Sequence, residues 1–135
     1  MKKIIVVLCC SILSGCQTPF LVFPGGSIGD IVSHTDNFAF AKQHKLMWLE
    51  VRPEAPYSVI LRCTVFDGDI YVDAARARKW GALIKEDPRV RVKLGTEIFQ
   101  ATAQEVEGEE VRDKFLKGRV VYRLKPNWPS KHPEK

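Results

Sequence analysis

Few side chains of this 135-residue chain could carry out chemistry, and their spacing sorts them. His34, His44 and His132 are scattered and have no metal-ligand spacing, so no metal centre is expected. Cys63 shares one face of an apolar run with Val59, Leu61 and Val65, which makes it a buried, inert thiol without a histidine partner. Trp48 and Trp80 read as core residues. Glu109, Glu110 and Asp113 read as a solvated acidic helix face. Nothing is arranged as a Ser-His-Asp triad, a Gly-rich phosphate loop or a paired-carboxylate site. The thiol with a chemical context is Cys16, which follows Leu13, Ser14 and Gly15.

That context extends upstream. Lys2 and Lys3 form a short positive region, and residues 4–13 are an almost unbroken apolar run. The run has the length of a signal-peptide core and is too short for a stable bilayer-spanning helix. Leu13-Ser14-Gly15-Cys16 resembles the bacterial lipobox, in which small residues admit the peptidase and the thiol takes a diacylglycerol. The reading is a signal peptide over 1–15 and a lipidated N-terminus at Cys16. Gln17 stands where an Asp often marks inner-membrane retention, so the expected location is the outer membrane, facing the periplasm.

About 120 residues then remain, enough for one compact domain. The formal charge of +5 falls to +3 once Lys2 and Lys3 are removed. The basic residues are dispersed among acids, so nucleic acid is not an expected partner. Cys9 and Cys10 leave with the signal peptide and Cys16 is acylated. Cys63 alone remains, so the hydrophobic core must hold the domain without a disulfide.

Pro19, Pro24, Gly25, Gly26 and Gly29 mark residues 16–37 as a tether, although Phe20, Leu21, Val22 and Phe23 are too apolar for a free linker. The domain spans 38–126, and 127–135 is an exposed tail. Strands are predicted over 46–51, 57–66, 70–74, 89–94, 97–106 and 119–124. Asp67-Gly68 is a tight hairpin signal. One helix is predicted over 75–86, stopped by Asp87-Pro88, and a shorter one over 109–116 with Gly118 as its C-cap. In 89–94, Val90, Val92 and Leu94 form the buried face, and Arg89, Arg91 and Lys93 the solvent face. Val92→Asp is therefore expected to be destabilising and Arg91→Asp nearly neutral.

This element order resembles the split β-barrel flavin-binding superfamily, which includes pyridoxamine-phosphate oxidases and deazaflavin-dependent nitroreductases. The resemblance is carried by Tyr71-Val72-Asp73-Ala74-Ala75-Arg76-Ala77-Arg78-Lys79-Trp80, by Leu83-Ile84-Lys85-Glu86-Asp87-Pro88-Arg89-Val90 and by Arg119-Val120-Val121-Tyr122-Arg123-Leu124-Lys125-Pro126. Phe23-Pro24-Gly25-Gly26, Leu49-Glu50-Val51-Arg52-Pro53 and Pro56-Tyr57-Ser58-Val59 are similar to an envelope-located lipoprotein branch of it. The resemblance implies a mainly β fold with some α, a six-stranded split β-barrel with one substantial and one short helix. It implies a flavin phosphate held by Arg76, Arg78 and Lys79 at a helix start, where free N–H groups and the helix dipole favour an anion, with Arg62 on an adjoining strand as a further partner. It also implies an FMN or deazaflavin cofactor, a small-molecule substrate, an oxidoreductase activity of the nitroreductase or quinone-reductase kind and a homodimer. Ala74, Ala75 and Ala77 stand where the superfamily usually offers a hydroxyl. The alternative is an envelope protein without cofactor or catalysis that binds a small ligand or a protein on the same barrel, its basic residues merely solvated.

Overall fold

The computed structural model describes residues 25–126; the signal segment, Cys16, Phe20–Phe23, His132 and the tail lie outside the described residues. The chain forms β1 (Leu46–Val51), β2 (Tyr57–Arg62), β3 (Thr64–Phe66), β4 (Asp69–Ala74), α1 (Lys79–Glu86), β5 (Arg89–Leu94), β6 (Glu97–Glu105), α2 (Glu109–Arg112) and β7 (Val120–Pro126). A 3₁₀ turn, Ala39–Gln43, precedes β1. All seven strands join one antiparallel sheet in the order β2-β1-β5-β6-β7-β4-β3.

The count is seven strands rather than six because the strand predicted over 57–66 is divided. β1 begins at Leu46, opposite Arg62, so its ladder with β2 stops there, and the next amide, Cys63 N–H, bonds to the Lys45 carbonyl. Beyond it the chain changes partner, and Thr64 pairs with Tyr71 on β4. The two outermost strands of the sheet are thus successive pieces of one segment, and the sheet must curl to let them meet. The predicted hairpin is present: Asp67 and Gly68 have φ of 49° and 80°, as a two-residue β-hairpin requires.

The helices are shorter than their periodicity suggests. Residues 75–78 form a turn closed by Arg78 N–H and the Ala75 carbonyl, and Arg78 is extended. β4 is paired as far as Ala74, so the chain must turn before α1 can lie across the end of the sheet. That requirement overrides the helix preference of Ala-Arg-Ala-Arg. α2 is a single turn, and non-helical turns lead from it to Gly118 (φ 80°).

The core fills the inside of the curl. Met47, Leu49, Ile70, Val92 and Leu124 are wholly buried, and Val90, Val92 and Leu94 face inward as expected. Phe38 closes one end edge-on to Phe99, with ring centroids 6.0 Å apart.

Residues 25–33, which composition assigns to the tether, cross the sheet as a strap. Gly25 exchanges both backbone hydrogen bonds with Ser58, and Ser58 Oγ donates to the Gly26 carbonyl. Ile28 N–H donates to Glu50 Oε2, Arg91 donates to the Gly29 carbonyl, and Ser33 N–H donates to the Ile98 carbonyl. Beneath the strap Arg91 forms a two-pronged ion pair with Glu50, both contacts 2.7 Å, and Glu50 is only 2 % exposed. The expectation that Arg91 faces solvent is corrected by this covering.

Candidate functional site

The basic sequence 76–79 lies between β4 and α1. Arg76 is in the turn, Arg78 is the residue before the helix, and Lys79 is its first residue. All three are exposed, and no described residue pairs with the guanidinium of Arg76 or Arg78. Lys79 Nζ rests 4.9 Å from the centroid of the Tyr57 ring, a cation–π contact. Nearby, Arg119 is paired with Asp73 at 3.1 Å.

The turn borders a groove of about 330 Å³ between α1 and the ends of β4, β6 and β7. Ala74 and Ala75 give it a shallow apolar wall, while Arg76, Lys85, Glu105 and Tyr122 give it polar groups. Gly81 lets the helix settle here, since a Cβ at that position would lie 3.1 Å from the Ala74 Cβ. Tyr122 donates its hydroxyl proton to the Gly81 carbonyl at 3.2 Å, tying α1 to β7. Burial, with Glu105 beside it, raises the Tyr122 phenol above its ordinary value and keeps it a neutral donor.

Arg62 is not brought to this site. Tyr57, the strand residue beside Lys79, is five residues from Arg62, about 17 Å along β2 at 3.3 Å per residue. The odd spacing also puts Arg62 on the opposite face of the strand. Arg76, Arg78 and Lys79 are therefore together and Arg62 is apart. Lys85, Glu105 and Tyr122 were not singled out by sequence reasoning. Glu105 and Tyr122 meet only through the pairing of β6 with β7, and local pattern carries no signal of that register.

The remaining reactive groups stay apart from the groove. Burial pushes the Cys63 thiol up to about 11, and its hydrogen points at the Ala41 carbonyl, 3.6 Å away. Among the described residues no group of His, Cys, Asp and Glu could hold a metal ion. A wider hollow of about 650 Å³ lies along α2 and the loop to β7, lined by Glu109, Arg112, Phe115, Leu116 and Lys117 among others.

No family model matches the chain, and no curated protein matches it. Solved structures do. A candidate pyridoxamine 5′-phosphate oxidase from Listeria innocua is 19% identical, with 67% of this chain and 90% of that one covered and a TM-score of 0.56. The haem-storage protein HutZ of Vibrio cholerae is 16% identical over 66% and 86% of the two chains, with a TM-score of 0.51. An F420-H2-dependent reductase is 17% identical over 72% and 100%, with a TM-score of 0.51. Their names assign three different tasks to one architecture, so the likeness speaks to the fold and leaves activity to the site. The chain has the split β-barrel fold that these structures share.

Proposed function

We propose that this protein is a lipoprotein of the bacterial cell envelope, anchored by acylated Cys16 to the outer membrane and facing the periplasm, whose split barrel binds a phosphate-bearing flavin or deazaflavin as an oxidoreductase. The observation that carries the reading is the basic turn 76–79 at the mouth of an open groove. The phosphate end fits: Arg76 and Arg78 are exposed without an acidic partner among the described residues, and Arg76 lines the groove. Arg76, Arg78 and Lys79 would hold the phosphate, and Lys85 and Tyr122 would border the remainder of the ligand. When bound, the cofactor supplies the hydride or electron transfer. The chain supplies position, positive charge and a neutral phenol whose proton is committed to Gly81.

A second reading, a non-catalytic ligand-binding protein, is favoured by one feature of the same site. The groove's phenol, Tyr122, has its proton committed to the Gly81 carbonyl, and no hydroxyl accompanies the basic turn. Titration followed by flavin fluorescence separates the two. FMN should bind at least tenfold better than riboflavin, since a charge-assisted hydrogen bond contributes about 1.5–3 kcal/mol. The preference should weaken with salt, and Arg78→Ala should reduce it more than Arg112→Ala does. Absence of binding by both flavin and deazaflavin at millimolar concentration rejects the oxidoreductase reading and leaves the second.

A further inference from the structure

The rows of side chains that fill the core turn polar where the groove opens. In β6, Phe99, Ala101 and Ala103 point inward and are buried, and Glu105 is the next member of that row. In β7 the inward row is Val120, Tyr122 and Leu124, and in β4 it is Ile70, Val72 and Ala74. The register sets Glu105 opposite Tyr122, so the two share a face with Cβ atoms about 5 Å apart. Period-2 alternation thus puts a carboxylate on the core side of the sheet, at its rim, where an apolar residue would continue the row.

The groove is divided by hydrogen-bonding character. Tyr122 donates its one proton to the Gly81 carbonyl, so its oxygen is left to accept, and Glu105 beside it is an acceptor too. Burial and Glu105 hold the phenol neutral, which preserves that arrangement at ordinary pH. Arg76, beyond the end of β4, and Lys85, on α1, can only donate. β4 lies across β7 from β6, two strand spacings or about 10 Å away. Ala74, Ala82 and Val120 make the apolar surface between the two sets. Other charges near the turn are already matched, Arg119 by Asp73 and Lys79 by the Tyr57 ring. Among the described residues Arg76, Lys85 and Glu105 form no ion pair, with one another or with any other group.

We propose that the groove binds a small zwitterion of dipeptide size, its anionic end at Arg76 and Lys85 and its ammonium between the Glu105 carboxylate and the Tyr122 oxygen. The proposal rests on the second reading above, a groove without cofactor, and names the class of ligand. A zwitterion matches both sets of groups at once. An anion alone would leave Glu105 facing it, and a cation alone would meet Arg76 and Lys85. An α-amino acid carries both charges on one carbon, too close together to bridge walls two strand spacings apart. A dipeptide separates them and lays its side chains on the alanines between.

Isothermal titration of the full processed chain in nonionic detergent tests this with alanylalanine, its N-acetyl derivative, which lacks the ammonium, and its amide, which lacks the carboxylate. Each capped form should bind about tenfold more weakly than the free dipeptide. Glu105→Gln should erase the loss caused by acetylation and keep the loss caused by amidation, and Lys85→Gln should do the converse. Both side chains are exposed, so the two variants should keep the parent's thermal midpoint. Free and capped dipeptides that bind alike, no binding at millimolar concentration, or variants without this reciprocal pattern overturn the zwitterion class. An FMN titration alongside tells that failure from failure of the second reading. FMN bound with the dipeptide unbound rejects the second reading and the proposal with it. Neither bound rejects the zwitterion alone and leaves the second reading with a different ligand.

Discussion

A carboxylate as deeply buried as Glu50 is tolerated because Arg91 stays beside it and the Ile28 amide donates to it. The pair sits between the sheet and the strap, and its hydrogen bonds hold the Arg91 guanidinium more firmly protonated than usual. Arg91→Asp would leave Glu50 without its partner and add a second carboxylate next to it. We expect a loss of about 3–5 kcal/mol, the range for breaking a buried pair. Val92→Asp, which places a charge in the core, should cost a comparable amount. Urea denaturation of the two variants tests the arrangement, and a near-neutral Arg91→Asp would show that the strap does not close over the pair. The inward members of 89–94 were legible in the sequence because period-2 alternation reports the core side directly. The outward side was not, since alternation cannot say what later segment lies on top. The same limit applies at the groove: the cations of 76–79 could be read from their spacing, but Glu105 and Tyr122 come from paired strands distant in sequence.

Gly29 shows what the strap requires as an element. Its φ of 133° is in the region that L side chains rarely adopt, and a Cβ there would lie 2.8 Å from Ile98 Cδ1. The side-chain tip can shift, but the backbone cannot keep this φ without strain. Gly29→Ala should therefore cost about 1–3 kcal/mol and act locally. The expected signature in hydrogen exchange is faster exchange at the Ile28 and Ser33 amides, with Val92 and Leu124 unchanged. Equal acceleration throughout would mean that the strap and sheet unfold as one unit. From sequence, the glycines and prolines of 16–37 signalled a tether, since composition does not distinguish a glycine that permits motion from one that fixes a crossing. Elements whose partners are local, such as the Asp67-Gly68 hairpin, were placed correctly. The division of 57–66 at Cys63 and the late start of α1 were not, because each is decided by where a neighbouring strand ends.

At the scale of the whole molecule the mainly β split barrel was legible from element order, while the way two copies would meet was not. An exposed strand edge is a usual route to pairing, but here the outer edge of β2 is occupied at Ser58 by Gly25, and β3 has only three residues. A homodimer, which we expect, must then form through side chains. Among the described residues, Leu116 is an exposed apolar anchor on the far side of the chain from the strap, 71% accessible and bordering the hollow along α2. A two-fold axis there would let each Leu116 enter its partner's hollow, a closed and self-complementary contact. Light scattering on the acylated protein in detergent, corrected for bound detergent, should give two chains per particle at tens of micromolar. Leu116→Asp should reduce this to one, because a carboxylate in that hollow would be desolvated beside Glu109 and Asp113. Ile31→Asp should leave the dimer intact, because Ile31 is exposed on the strap and does not line that hollow. A monomer in the unsubstituted protein would discard the dimer, and a dimer that survives Leu116→Asp would move its interface elsewhere.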